Sequence, residues 1–86
     1  MAQVLLVEDD PTIRTALSRA LAERGHAITS APSALEGLRL AVESAPDLVV
    51  LDLGLPDLVG REMLRMLRAV TAVPVIVATA RDQEAE

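Results

Sequence analysis

The segment that decides the fold is Asp47-Leu48-Val49-Val50-Leu51-Asp52, followed at once by Leu53-Gly54-Leu55-Pro56-Asp57. Four consecutive apolar residues, two of them valines, are typical of a strand that is buried on both faces of a sheet. The Gly, Pro and Asp residues that follow predict a turn. Open α/β sheets carry their chemistry at the carboxyl ends of the strands, so Asp52 stands where a functional carboxylate is expected.

Shorter apolar runs of the same kind flank this segment on both sides. The strand pattern occurs at 4–7 and 75–78, and in a weaker form at 27–31. Helical patterns separate the strands, from Pro11 to a stop at Gly25, from Ala34 to about Glu43, and from Val59 to about Arg68. Strands and helices that alternate in this way predict a parallel sheet built from right-handed βαβ units.

Capping residues and apolar faces predict how these helices begin and pack. Asp10 before Pro11 predicts the N-cap of the first helix, and Ser33 with Glu36 has the capping-box spacing for the second. The apolar sides of the helices are Ile13, Leu17 and Leu21 in the first, Leu35, Leu38, Ala41 and Val42 in the second, and Met63, Leu64, Leu67 and Val70 in the third.

Composition narrows the class of protein. With 86 residues and an apolar fraction of 51%, we expect one small domain with an ample core. The net charge of −5 argues against direct contact of this segment with nucleic acid. Cysteine is absent, the N-terminus has no basic leader, and no apolar run reaches the length of a membrane span. We therefore expect a cytoplasmic domain with no membrane association.

Polar residues stand where three of the predicted strands end. Glu8, Asp9 and Asp10 follow the first strand, Asp52 ends the third, and Thr79 follows the fourth. Because the carboxyl ends of parallel strands share one edge of the sheet, we expect these groups to be neighbours. Clustered carboxylates repel one another unless a cation offsets their charge, and Mg²⁺ prefers such hard oxygen ligands. The pattern predicts a Mg²⁺-dependent carboxylate site that is suited to accept a phosphoryl group.

Each of these residues also has a purely structural interpretation. Asp10 is best explained as the cap of the first helix, while Glu8 and Asp9 are open to interpretation as surface acids. Asp52 alone is compatible with the first residue of a turn, and Thr79 with an ordinary strand end. Their joint occurrence at one predicted edge favours the functional interpretation. Glycine-rich nucleotide-binding motifs are absent from the sequence.

Three blocks of this sequence together resemble the receiver domain of bacterial two-component response regulators. They are VLLVEDDP at 4–11, DLVVLDLGLPD at 47–57 with Gly60, and VPVIVATARD at 73–82, in the order and spacing of that family. The blocks are most similar to the subfamily with a C-terminal winged-helix DNA-binding domain (the OmpR/PhoB-like regulators). The resemblance implies a flavodoxin-like, doubly wound open parallel α/β sheet, with four strands in the order 2-1-3-4 and three helices in this chain.

The resemblance also implies roles for the acidic residues. Asp52 would be the phosphoacceptor and catalytic residue, taking a phosphoryl group from the histidine of a sensor kinase. Asp9, Asp52 and the backbone carbonyl of Gly54 would bind Mg²⁺, with Mn²⁺ as a substitute, and Glu8 would act through a water molecule. On this basis the chain is a signalling phosphoacceptor, with only self-phosphorylation and self-dephosphorylation as chemistry.

Further roles fall on the segment after the fourth strand. Thr79 would be the switch hydroxyl that contacts the phosphoryl group, and the small Ala80 would leave room for that group. Gly54 and Arg81 occupy positions that tune the lifetime of the phosphoaspartate in this family.

The chain also departs from the family pattern. Receiver domains continue through a fourth helix, a fifth strand that carries a lysine, and a fifth helix, about 35 residues in typical element lengths. This sequence contains no lysine and no aromatic residue. We therefore expect residues 1–86 to form the N-terminal two-thirds of a receiver, without the DNA-binding domain of the parent protein. An uncovered fourth strand would then permit self-association.

Two alternatives from other classes remain. The chain could be a phosphorylation-incompetent receiver fragment that acts only as an interaction module. It could also be a phosphotransferase of the haloacid dehalogenase type, which likewise places an Asp at a strand end with Mg²⁺. That family requires a second Asp two residues after the nucleophile, and here the position is Gly54. Binding of Mg²⁺ and a small phosphodonor that depends on Asp52 separates the receiver from the inert module.

Overall fold

The structure is a computed structural model, and it describes residues 2–52 and 60–78. The elements are β1 (Gln3–Val7), α1 (Pro11–Glu23), β2 (Ala27–Ala31), α2 (Ala34–Ser44), β3 (Leu48–Asp52), α3 (Gly60–Val70) and β4 (Val75–Ala78). The four strands form one parallel sheet in the order β2-β1-β3-β4. Within the described residues, the predicted alternation, the strand order and the three helices are confirmed. The expected start of the third helix at Val59 lies outside the described residues.

The helix ends follow the capping chemistry predicted from the sequence. The Asp10 carboxylate accepts hydrogen bonds from the backbone N–H groups of Thr12, at 2.8 Å, and Ile13, at 3.1 Å. Ser33 Oγ accepts from the N–H of Glu36 at 3.3 Å, and Gly25 ends the first helical segment with a φ of +91°. In the described part of the chain, no helix has both the length and the apolar character needed to cross a membrane.

The main core lies between the sheet and the helices α2 and α3. Leu5 and Val7 of β1 and Val49 and Leu51 of β3 are fully buried on this face. The helices contribute these buried residues: Ala34 and Ala41 from α2, and Met63 and Leu67 from α3. Alternate residues of a strand point to the same face, which is why odd-numbered positions of β1 and β3 share this core. The core therefore lies directly beneath the end of β3 that carries Asp52.

Part of the predicted helix packing is wrong. Leu35 and Val42 of α2 are 59% and 60% exposed, and Val70 of α3 is also exposed. Helix α2 instead buries its small residues, Ala34, Gly37 and Ala41. The cause is the short distance between α2 and β1, because a Cβ atom at Gly37 would lie 2.8 Å from Cγ2 of Val7. A helix so close to the sheet must present small side chains there, and Leu35 and Val42 are turned outward.

The opposite face of the sheet is less well covered than the sequence predicted. Val4 and Leu6 of β1 are buried, but Val50 of β3 is only partly buried and Ile76 of β4 is 53% exposed. Helix α1 contacts β1 and β2 and contains no buried residue. Among residues 2–52 and 60–78, no other helix lies over this face. Within the described part, the prediction that β3 is buried on both faces is therefore wrong, and so is the prediction that β4 is a buried strand.

Gly37→Ala tests the close contact between α2 and β1. Alanine gains roughly 1 kcal/mol of helix propensity over glycine, but overpacking a core costs about 1–3 kcal/mol. We expect a net loss of about 1 kcal/mol in the free energy of unfolding, measured by urea denaturation with circular dichroism, because the rigid, buried Val7 cannot move aside. In a Val7→Ala background, the same change should become neutral or stabilising. A stabilising Gly37→Ala in the wild-type background would show that the helix shifts freely.

Candidate functional site

The register of the sheet brings two acidic strand ends together. Val7 of β1 pairs with Leu51 of β3 in the parallel ladder, so the next residues, Glu8 and Asp52, emerge side by side. One carboxylate oxygen from each of Glu8, Asp9 and Asp52 lies within 4.8 Å of the other two. The predicted convergence of these three groups is thus confirmed by the geometry.

Glu8 is the buried member of the group, with only 6% of its surface exposed. Its backbone N–H donates to the carbonyl of Ala31 at 3.0 Å, which ties the end of β1 to the end of β2. Its Oε2 accepts from the backbone N–H of Asp10 at 3.1 Å. The first bond fixes the Glu8 backbone, and the second orients its carboxylate.

Asp9 and Asp52 both retain exposed surface, so solvent and ligands reach them. Asp10 does not join the group, because its carboxylate turns to the backbone of α1 as the N-cap. Its structural interpretation is therefore correct. The other predicted site residues, Gly54, Thr79, Ala80 and Arg81, lie outside the described residues.

The three carboxylates fit a small hard cation. Mg²⁺ binds oxygen ligands at about 2.1 Å in an octahedron, so two oxygens on opposite sides of one ion are about 4.2 Å apart. Oxygens within 4.8 Å of one another can share such an ion after small side-chain movements, or with one carboxylate acting through water. Three neighbouring negative charges also repel each other when nothing offsets them.

Burial and this repulsion together raise the pKa of Glu8. Burial raises the pKa of the Glu8 carboxyl group above its ordinary value of 4.5, while the bond from the Asp10 N–H acts in the opposite direction. A hydrogen bond with the Asp52 carboxylate and the negative charges of Asp52 and Asp9 raise this pKa further. The folded protein therefore holds a proton on Glu8 at a pH where the unfolded chain has lost it.

The raised pKa of Glu8 predicts a pH dependence of stability in the absence of metal. The folded state binds more protons than the unfolded state between pH 4.5 and the raised pKa, so the free energy of unfolding falls as the pH rises through this window. Glu8→Gln should remove this fall and raise the stability at neutral pH. Urea denaturation in a chelator, followed by circular dichroism from pH 4.5 to 7.5, measures the effect.

A matched control is Glu36→Gln on α2. Hydrogen bonding to Arg39 lowers the pKa of Glu36, so its contribution is present above the ordinary pKa and is lost as the pH falls. This variant should lose a little stability at neutral pH, the opposite sign to Glu8→Gln. If Glu8→Gln lowers the stability at neutral pH, the carboxylate repulsion inferred from the geometry does not operate.

The structure adds one residue that the sequence patterns did not indicate. Arg14, one turn into α1, donates from Nη1 to the backbone carbonyls of Glu8, at 2.9 Å, and Asp9, at 3.3 Å. Helical side chains lean toward the N-terminus of their helix, so a residue four positions after the cap can reach the preceding loop. That spacing from Asp10 was the available signal for Arg14.

Comparison with known proteins agrees with this geometry. The sequence profile of the family described as "Response regulator receiver domain" matches residues 4–86. The transcriptional regulatory protein AfsQ1 of Streptomyces coelicolor is 44% identical over 84 residues, which are 98% of this chain and 37% of that protein. The KDP operon transcriptional regulatory protein KdpE of Escherichia coli is 46% identical over 86 residues, all of this chain and 38% of that protein.

A solved structure extends the likeness to three dimensions. The BeF3-activated N-terminal receiver domain of Klebsiella pneumoniae RstA has a TM-score of 0.89 at 28% identity, covering 95% of this chain and 70% of that one. This chain spans less than two-fifths of the length of the two curated relatives. Sequence profile, relatives and fold agree over nearly all of the 86 residues, and the chain belongs to the response regulator receiver domain family.

Proposed function

We propose that Asp52 is the phosphoacceptor of a two-component signalling protein. The observation that carries this proposal is the convergence of the Glu8, Asp9 and Asp52 carboxylates within 4.8 Å, at the carboxyl edge of a receiver-family sheet. Asp52 ends the central strand β3 and retains exposed surface, so a donor can approach its carboxylate. Phosphorylation of an aspartate is the general mechanism of this family.

The cation in this proposal is Mg²⁺, which Mn²⁺ can replace. Asp9 and Asp52 bind it directly, because both remain accessible, and the backbone carbonyl of Gly54 completes the protein ligands. Glu8 acts through water, since it is buried and its Oε2 already accepts from Asp10. When bound, Mg²⁺ neutralises the charge on the transferring phosphoryl oxygens and on the acceptor carboxylate.

The transfer itself is a displacement at phosphorus. A carboxylate oxygen of Asp52 forms the new P–O bond as the P–N bond to the phosphohistidine of a sensor kinase breaks. The electron pair of that bond returns to the imidazole, which regains a proton from solvent. Thr79 then contacts the phosphoryl group through its hydroxyl, the small Ala80 leaves space for it, and Gly54 and Arg81 tune how long it persists. In this proposal the segment is a signalling phosphoacceptor, and its chemistry is this transfer and the hydrolysis of the phosphoaspartate.

We infer the output domain and the partners of the protein from the names of its relatives. Both AfsQ1 and KdpE are named as transcriptional regulatory proteins. We infer that phosphorylation switches a DNA-binding output domain outside residues 1–86, in a cytoplasmic protein. The net charge of −5 disfavours direct DNA contact by this segment. Among residues 2–52 and 60–78, β4 pairs with β3 alone, and this arrangement supports self-association by strand pairing along its other side. Light scattering that shows only monomer at all concentrations contradicts this last point.

The alternative is an interaction module that is never phosphorylated. It differs from the phosphoacceptor in one measurable property, the uptake of a phosphoryl group on Asp52. The haloacid dehalogenase type of phosphotransferase is disfavoured by Gly54, which stands where that family requires an Asp.

Incubation with Mg²⁺ and acetyl phosphate, followed by intact-protein mass spectrometry, separates these functions. We expect one phosphoryl group per chain, no transfer in the presence of a chelator, and a site of modification at Asp52. Beryllofluoride, which activates the related RstA receiver domain, should bind in the same Mg²⁺-dependent manner. Binding of neither Mg²⁺ nor beryllofluoride would favour the inert module.

A further inference from the structure

Arg14 of α1 bonds to the backbone that carries two of the three carboxylates. Arg14 Nη1 donates to the carbonyl oxygens of Glu8 and Asp9, at 2.9 and 3.3 Å, and its side chain is half-buried. No ion pair within 4.0 Å joins Arg14 to the carboxylates of Glu8 or Asp9, all three residues being in the described part. The guanidinium therefore leaves the carboxylate oxygens of Glu8 and Asp9 available to a cation.

The loop between β1 and α1 is held at several points, and Arg14 is one of them. The Arg14 backbone N–H donates to the Asp10 carbonyl at 2.8 Å as the first bond of α1. The Asp10 carboxylate caps the same helix, and the Glu8 N–H is tied to β2. The Arg14 side chain connects the first turn of α1 back to Glu8 and Asp9, and it thereby sets the path of the backbone that carries two of the three carboxylates.

We propose that Arg14 is a positioning residue, which holds Glu8 and Asp9 in the arrangement that binds the divalent cation. This inference rests on the proposed function, because it concerns the same cation. Removal of a residue that hydrogen-bonds to a metal ligand typically lowers metal affinity by about 10–100-fold. Arg14 restrains the backbone of the ligands through one side chain at the rim of the site, so we expect a loss near tenfold in Mg²⁺ affinity.

The charge of Arg14 makes the proposal testable, because positioning and electrostatics predict opposite changes in Mg²⁺ affinity when Arg14 is removed. A guanidinium beside the site repels a divalent cation, so removal of its charge alone should strengthen Mg²⁺ binding. Loss of the two hydrogen bonds should weaken binding, because Glu8 and Asp9 then sample arrangements that cannot share one ion. A weaker affinity in Arg14→Ala therefore cannot come from the charge.

The experiment is isothermal titration calorimetry of the metal-free protein with Mg²⁺, since the chain has no Trp or Tyr to report binding by fluorescence. Arg14→Ala should bind about tenfold more weakly than wild type, and Arg14→Lys, which can bond one carbonyl, should recover part of the loss. Arg19→Ala is the matched control, because Arg19 is exposed on the same helix and its removal changes the charge equally. It should bind Mg²⁺ as well as wild type or slightly better.

Amide NMR spectra without metal give a second readout and exclude unfolding as the cause. Arg14→Ala should shift the resonances of Glu8, Asp9 and Asp10 while those of β3 and α2 stay in place. If wild type binds Mg²⁺ and Arg14→Ala binds equally or more tightly, the positioning role is wrong and the proposed function stands. If wild type binds no Mg²⁺, the proposed function fails, and the positioning role with it.

Discussion

Asp52→Asn should abolish phosphoryl uptake from acetyl phosphate and at the same time stabilise the metal-free fold. The amide cannot form the acyl phosphate that the carboxylate forms, so no modified chain should appear by mass spectrometry. The gain in stability follows from the site itself, because the charge of Asp52 raises the pKa of the buried Glu8 and opposes its ionisation. Urea denaturation in a chelator at neutral pH should give a higher free energy of unfolding than wild type.

The matched control is Asp47→Asn, the same chemical change close to the other end of the same strand. Asp47 Oδ2 accepts from the backbone N–H of Gln3 at 2.8 Å, remote from the carboxylates of Glu8 and Asp9. This variant should take up a phosphoryl group normally and should be slightly less stable. Undiminished phosphorylation of Asp52→Asn would move the acceptor to another residue, and loss of stability would contradict the repulsion among the carboxylates.

The loss of phosphorylation and the gain in stability expected of Asp52→Asn together indicate a function for the carboxylate cluster. A cluster of like charges lowers the stability of the metal-free fold, so a purely structural role would not account for it. Binding a cation there removes the repulsion, so the folded state and the bound cation stabilise each other. A site of this kind explains why the carboxylates converge although each could individually serve as a cap or a surface residue.

The sequence predicted the strands and the site edge because both follow from local patterns. Apolar runs set the strands, and β2 and β4 occur at the predicted positions 27–31 and 75–78. The convergence of Glu8, Asp9 and Asp52 follows from a parallel sheet with acids at its strand ends. These inferences need only the chain order and the direction of each strand.

Packing distances could not be predicted in the same way. Helix α2 has large apolar residues on one arc and small ones on another, and the periodicity favours the arc with Leu35 and Val42. The contact of Gly37 with Val7 selects the other arc, and that contact depends on how closely the helix approaches β1. Arg14 was missed for a related reason, because its bonds to Glu8 and Asp9 depend on the shape of a loop.

Leu51→Ala should cost about 2–5 kcal/mol in the free energy of unfolding, the usual range for truncating a fully buried leucine. Leu51 has no exposed surface, and it pairs in register with Val7 of β1 and Val77 of β4 beneath α2 and α3. Small domains are stable by only about 5–15 kcal/mol, so this loss is a large fraction of the total. Urea denaturation followed by circular dichroism measures it.

The control for Leu51→Ala is Leu35→Ala, which removes the same atoms from a side chain that is 59% exposed. That change should stay within about 0.5 kcal/mol, as surface substitutions usually do. Equal costs at the two positions would mean that α2 is rotated and that Leu35 faces the sheet, as its periodicity suggests. Leu51 directly precedes Asp52, so the effect of Leu51→Ala on Mg²⁺ binding needs a separate measurement. We expect a weaker apparent affinity only because part of the protein is unfolded, and the loss should disappear once the unfolded fraction is taken into account. A residual loss in the folded molecules would mean that the core beneath β3 also sets the position of the acceptor carboxylate.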